Sequence, residues 1–251
     1  MMIATLAARE LRSLFLSPLA WSILAVVQFI LAYLFLGQLD VYIAYQARIA
    51  MMENPPGATE VIVAPLFSSA TIILLLVIPL LTMRLVSEER RSRTLPLLFS
   101  APVSMSEIVL GKYLGILGFL AIMLGLIILM PLSLLSLGTL DFGLLGSNLI
   151  GMALMLAAFA AAGLFMSTLT AQPTVAAIST FGLLLLLWII EWTGQSSAEG
   201  STVFAYLSLQ RHYEALLKGL FNSSDVIYYL LFILTFLILS IRRLDADRLQ
   251  N

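Results

Sequence analysis

Six long apolar runs constrain this chain more than any other feature. They lie at roughly 19–39, 65–86, 108–131, 144–169, 175–192 and 226–241. About 20 consecutive apolar residues are what a helix needs to cross a hydrocarbon core. Inside lipid, every backbone N–H and C=O must find a partner within the segment, so a spanning chain is helical or forms a closed barrel. Alternating segments of about ten residues, the mark of a membrane barrel, are missing. Of 251 residues, 61% are hydrophobic and 11% charged, more apolar surface than a soluble core can use. The expected fold class is an all-α membrane protein with six transmembrane helices, residues 1–251 forming a single transmembrane domain. The runs occupy about half the chain, which leaves no room for a separate catalytic domain.

Charge sets the expected orientation. With six spans both termini fall on one side. That side carries Arg9, Arg12, Arg84, Arg90, Arg91, Arg93, Lys112, Arg242, Arg243 and Arg248, against Arg48, Arg211 and Lys218 on the other. Such an excess marks the cytoplasmic side. The first run is longer than a signal-peptide core, so it is expected to be retained as span 1. With no cysteine, disulfides, thiolate metal sites and cysteine nucleophiles are excluded. A net charge of −1 gives nucleic acid no electrostatic reason to bind.

Local signals place the ends of the helices. Ile3, Ala7, Leu11 and Leu14 fall on one helical face, and Arg9, Arg12 and Ser13 on another. This predicts an amphipathic interface helix lying on the inner membrane surface. Ser17-Pro18 is an N-cap followed by a proline at the first helical position. Residues 40–64 read as an external loop with turn cluster Asn54-Pro55-Pro56-Gly57, Pro65 opens span 2, and Pro79 is expected to kink it. Ser104 and Glu107 form a capping-box pattern ahead of span 3. Gly111, Gly115 and Gly118 recur about one turn apart, leaving room for a neighbouring helix to approach closely. Asp141 is a candidate cap for span 4, Gln172-Pro173 a tight turn before span 5, and Ser223 and Ser224 candidate caps for span 6. Residues 204–221 are amphipathic and fit a helix in the outer interface, with Tyr206, His212 and Tyr213 among apolar neighbours. The tail after Arg242-Arg243 reads as short, charged and mobile.

No catalytic constellation is visible. The single histidine, His212, reads as a polar tip at the membrane interface rather than a metal ligand, and no phosphate-binding Walker A pattern occurs. The spans are nearly free of the central charges that ion-coupled transporters carry. Gln28 and Asn148 are the notable polar residues within spans and are expected to bond neighbouring helices. Arg84, at the inner end of span 2, can snorkel. An energy source outside this chain is therefore expected.

The densest information lies between spans 2 and 3. Ser87 to Arg93 holds five charges of both signs, followed by the apolar Leu95, Leu97, Leu98 and Phe99. A connecting loop needs no such apolar patch, so a short helix facing a soluble partner is expected. The elements Ser87-Glu88-Glu89-Arg90, Thr94-Leu95-x-Leu97-Leu98, Ala101-Pro102-Val103 and Gly111-Lys112 stand in an order that resembles the permease subunits of ABC-2-type transporters. The nearest likeness is the gliding-motility-associated branch, then the copper-centre maturation permeases. It covers essentially the whole chain.

That resemblance implies a cytoplasmic coupling helix, which enters a cleft of a separate ATPase subunit through Glu88, Glu89, Arg90, Arg93, Thr94, Leu95, Leu97 and Leu98. Pro96 departs from the family's usual helix former, so the docking helix is expected to begin near Thr94. The resemblance also implies a re-entrant external gate around Tyr206, His212 and Tyr213. Its partners would be an ABC ATPase and a second permease chain, identical or related, with a further membrane subunit bearing a large external domain in the gliding-type branch. No cofactor is expected in this chain; ATP and magnesium would be held by the ATPase, and this chain would not itself be an enzyme. The expected setting is the bacterial inner membrane and the expected action is export. Two other classes of function remain open: an ion-coupled secondary transporter, and a membrane scaffold or assembly factor that moves nothing.

Overall fold

The computed structural model describes residues 2–49, 51, 56–95, 103–136, 140–196 and 208–250, and their side chains except at 49, 191–196 and 250. In chain order these form α1 (Met2–Leu16), α2 (Pro18–Ile49), a π-helical turn (Thr59–Val63) opening into α3 (Ala64–Thr82), and α4 (Ser87–Arg91). Then follow α5 (Met105–Ser133), α6 (Phe142–Leu169), α7 (Pro173–Ser196), α8 (Leu209–Leu217) and α9 (Ser223–Gln250). No strand occurs among the described residues. Among the described residues, six stretches are long and apolar enough to cross a membrane: Pro18–Arg48, Thr59–Arg91, Met105–Ser133, Phe142–Leu169, Pro173–Ile190 and Ser223–Leu249.

Several helix starts have the chemistry that the sequence announced. Ser104 accepts from the Glu107 amide (3.2 Å) while Glu107 Oε2 accepts from the Ser104 amide (3.0 Å), a complete capping box for α5. Asp141 Oδ1 accepts from the amides of Gly143 (2.8 Å) and Leu144 (3.1 Å) at the start of α6. Prolines open α2 and α7, where a missing N–H costs nothing. Pro79 lies inside α3. Three residues on, the buried Thr82 hydroxyl donates to the Ile78 carbonyl (2.9 Å).

Two helices outrun their expected bounds. Residues 40–49 were expected in a loop, but α2 continues through them to Ile49. A lone Asp40 at the end of an apolar run does not break a helix; the breakers arrive only at Asn54-Pro55. The tail after Arg243, expected to be mobile, is the helical end of α9, with Leu244 and Asp247 buried.

Packing centres on α6. Ala158, Ala160, Ala161 and Ala162 are fully buried, and a Cβ on Gly163 would run into the Thr82 side chain of α3. Small residues let backbones approach closely where lipid supplies no hydrophobic drive between helices. Around α6 lie α3, α5, α7, α8 and α9, with α2 against α3 and α5.

The glycine stripe on α5 receives α1. A Cβ at Gly115 would sit 2.6 Å from Glu10 Cβ, and one at Gly118 would meet Leu11 Cδ2 at 3.4 Å. Phe15 then meets Phe119 with ring centroids 5.3 Å apart. These contacts advance together along both helices, so α1 lies alongside α5. Its apolar face, expected on the membrane surface, is half-buried there, while Arg9 and Arg12 remain exposed.

Candidate functional site

The basic cluster between spans 2 and 3 starts from a break in helix geometry. The α-helix of span 2 ends at Thr82 and α4 begins only at Ser87. The charged block therefore does not continue span 2 as one uninterrupted α-helix. Ser167, on α6, bridges the break. Its hydroxyl accepts from the amides of Val86 and Ser87, each at 3.0 Å, and donates to the Met83 carbonyl at 3.0 Å. Those amides are among the first of α4 and lack helical partners of their own.

Two residues of α4 turn inward. Glu89 Oε1 lies 2.7 Å from Lys112 Nζ on α5, and Glu10 Oε2 on α1 lies 3.4 Å from the same nitrogen. Lys112 is 6% exposed, so its ammonium is held by carboxylates and not by solvent. A buried cation is tolerated only when paired. Arg90 donates to the Thr168 carbonyl at the end of α6 (2.7 Å) and pairs with Asp247 on α9. Asp247 also has Arg243 Nη2 3.6 Å from its second oxygen.

The other residues of the block face out. Glu88 is exposed, with Arg84 Nε 3.9 Å away. Arg91, Ser92, Arg93 and Thr94 are exposed, and Leu95 is buried again. Arg93 takes φ +56°, the left-handed conformation that ends a helix. The Thr94 amide then reaches back to the Glu89 carbonyl (3.0 Å), so the backbone turns sharply away from α4. Arginine pays a steric penalty in this region that glycine does not.

Of the residues expected at a docking contact, Glu88, Arg93 and Thr94 are presented to solvent. Glu89 and Arg90 fasten the block to the bundle, and Leu95 packs inward. Leu97, Leu98 and Pro96 lie outside the described residues. Lys112, Glu10, Ser167 and Asp247 complete the arrangement and were not singled out for it from sequence. One signal was available: a lysine eight residues into a long apolar helix requires an anion.

At the opposite end, α8 stands under the same kind of tie. Among the residues of the expected gate, Tyr206 lies outside the described residues. His212, expected as a polar tip at the membrane interface, is buried within the bundle. It is 6% exposed, its Nδ1 is 2.6 Å from Asp225 Oδ1 on α9, and its ring stacks on Tyr228 at 4.1 Å. Tyr213 is fully buried and donates to the Phe67 carbonyl of α3 (3.2 Å), and the Leu216 carbonyl accepts from Ser147 of α6 (2.7 Å). Burial raises the Tyr213 hydroxyl pKa above its ordinary value, so it stays a donor. Beside α8 a cleft of about 780 Å³ is lined by Glu60, Asp141, Glu214 and Lys218 among others.

Between the two ends the polar groups are few. Gln28 donates to the Met123 carbonyl of α5 (3.3 Å), as expected of an interhelical bond. Asn148 is fully buried, yet neither amide atom has a partner among the described residues. Among the described residues, no group of three or more acidic or histidine side chains is placed to hold a metal ion.

A family model described as ABC-2 family transporter protein matches residues 4–249 of this chain. No curated protein matches it.

Proposed function

Because this chain belongs to the ABC-2 family of transporter proteins, we propose that it is the membrane permease of an ATP-driven exporter, powered by a separate ATPase subunit that docks at α4. The observation that carries this reading is the way α4 is held. Its five residues are too few to keep a fixed shape alone. They are bonded directly to α5, α6 and α9, Glu10 of α1 shares the Lys112 partner of Glu89, and Glu88, Arg91, Arg93 and Thr94 stay exposed. A soluble motor pressing on that surface meets a rigid lever and not a loop.

In this reading two permease chains work with two ATPases, in the inner membrane of a bacterium, with both termini cytoplasmic. ATP and magnesium belong to the ATPase, and this chain supplies no catalytic group. ATP binding closes the motors, α4 is displaced, and the bundle opens a path outward. The excess of arginine at the α4 end supports the orientation. The scarcity of charge within the spans supports an external energy source. A further membrane subunit with a large external domain would complete the complex.

The test is purification of the tagged chain in mild detergent, with mass spectrometry of what accompanies it. An ATPase at one copy per permease is expected, and Arg91→Glu with Arg93→Glu should release it while leaving membrane insertion unchanged. A chain that carries no ATPase, even after crosslinking in the membrane, and that moves solute on an ion gradient alone would replace this reading with a secondary transporter.

A further inference from the structure

The C-terminal end of α9 lies beyond the apolar run of span 6, where a membrane protein has no need of order. Yet Leu244 is 1% exposed and Asp247 8%. A helix end that buries an aspartate is held there by specific partners. Here the partner is Arg90 of α4, 157 positions away in the chain.

The geometry around Arg90 joins three elements. Its guanidinium donates to the Thr168 carbonyl at 2.7 Å. That carbonyl is among the last of α6, which have no helical donor and carry the negative end of the helix dipole. The same nitrogen pairs with Asp247 of α9. Asp247 thus neutralises an arginine that would otherwise be held by a neutral carbonyl alone, and it fixes which way that arginine points.

Resting on the permease reading above, we propose that Asp247 is a positioning residue for the docking block. It holds Arg90 so that α4 presents Arg91, Arg93 and Thr94 at one angle, and it carries any displacement of α4 into the sixth span. The docking platform is then built from both ends of the chain: Glu10 of α1 supports it through Lys112, and Asp247 of α9 through Arg90. Arg243 contributes less, since it reaches Asp247 only at 3.6 Å and is 41% exposed.

The absence of cysteine makes the test direct. Spin labels are placed at Thr94→Cys and Leu249→Cys, both exposed positions, and the distance between them is measured in the purified permease. The native background is expected to give one narrow distribution, Asp247→Asn a broadened one, and Asp247→Glu a narrow one again. The native chain, Asp247→Asn and Asp247→Glu, each without the two cysteines, are then assayed with the ATPase bound. Asp247→Asn should lower permease-stimulated ATP hydrolysis by about fivefold or more, with the ATPase still co-purifying, and Asp247→Glu should restore it. A narrow distribution in Asp247→Asn, or stimulation unchanged by it, overturns the proposal. A native chain that captures no ATPase overturns the permease reading, while the distance series still decides whether Asp247 orients α4.

Discussion

Lys112 Nζ lies 2.7 Å from Glu89 Oε1, joining span 3 to the short charged helix that follows span 2. Glu10, on the first helix, reaches the same ammonium at 3.4 Å. One buried cation therefore holds three segments together. Removing it as Lys112→Met would leave two carboxylates facing each other. The loss expected for a fully buried pair is about 3–5 kcal/mol. Both carboxylates keep about a fifth of their side-chain exposure, so a loss of ~2 kcal/mol is expected, read as a lower midpoint of thermal unfolding in detergent. Glu10→Gln should cost less, because Glu89 still pairs the lysine.

The approach of α1 to α5 depends on Gly115 more than on Gly118. A methyl group at Gly115 would lie 2.6 Å from Glu10 Cβ and 3.1 Å from the Ala7 carbonyl, atoms that cannot swing away. At Gly118 the nearest atoms are the flexible end of Leu11 at 3.4 Å. Gly115→Ala should destabilise by about 1–3 kcal/mol. Gly118→Ala should be close to neutral. Equal unfolding midpoints for the two variants would show that α1 does not pack on this stripe.

Arg93 at φ +56° is a strained end to α4. Arg93→Gly should relieve that strain and stabilise the fold by about 1 kcal/mol. It should also weaken docking, since the exposed guanidinium is lost. Stability and ATPase retention moving in opposite directions is the expected result; Arg93→Val should lower both.

His212 and Asp225 fasten α8 to the start of α9 with both side chains buried. His212→Ala removes the partner of a carboxylate and the ring stacked on Tyr228. Asp225 sits in the first turn of α9, where the helix dipole still favours its charge. The expected loss is therefore about 2 kcal/mol, below that of a fully isolated buried charge. Hydrogen exchange of residues 209–217 would show whether the loss is local to α8, as expected, or spread through the bundle.

How much was legible follows from how far apart the interacting residues lie. The capping box at Ser104 and Glu107 is complete within four residues, and the cap at Asp141 within three; both read directly from the chain. The stripe Gly111, Gly115 and Gly118 announced a close neighbour, but nothing local said that the neighbour would be α1. The helical course of residues 40–49 was misread because the apolar run ends near residue 39, while the helix continues to Ile49. The order of the tail at Leu244 and Asp247 was misread because charge after the last span looked like solvent exposure. His212 was expected as a polar tip at the membrane interface because its partner, thirteen residues on, lies across a turn on another helix.

The sequence by itself determined the helical class, the six spans and the gathering of arginine at one end. Those properties depend on local hydrophobicity, helical period and capping, which act over one or two turns. Only the tertiary structure decided which charges are spent on the bundle and which remain for a partner. Glu10, Glu89, Arg90, Lys112 and Asp247 look alike in the chain to Glu88, Arg91 and Arg93. What separates them is helix adjacency: a charge beside an opposite charge on a packed neighbour escapes the cost of burial by pairing, and a charge on the open side of α4 stays exposed, as Glu88 does beside the exposed Arg84.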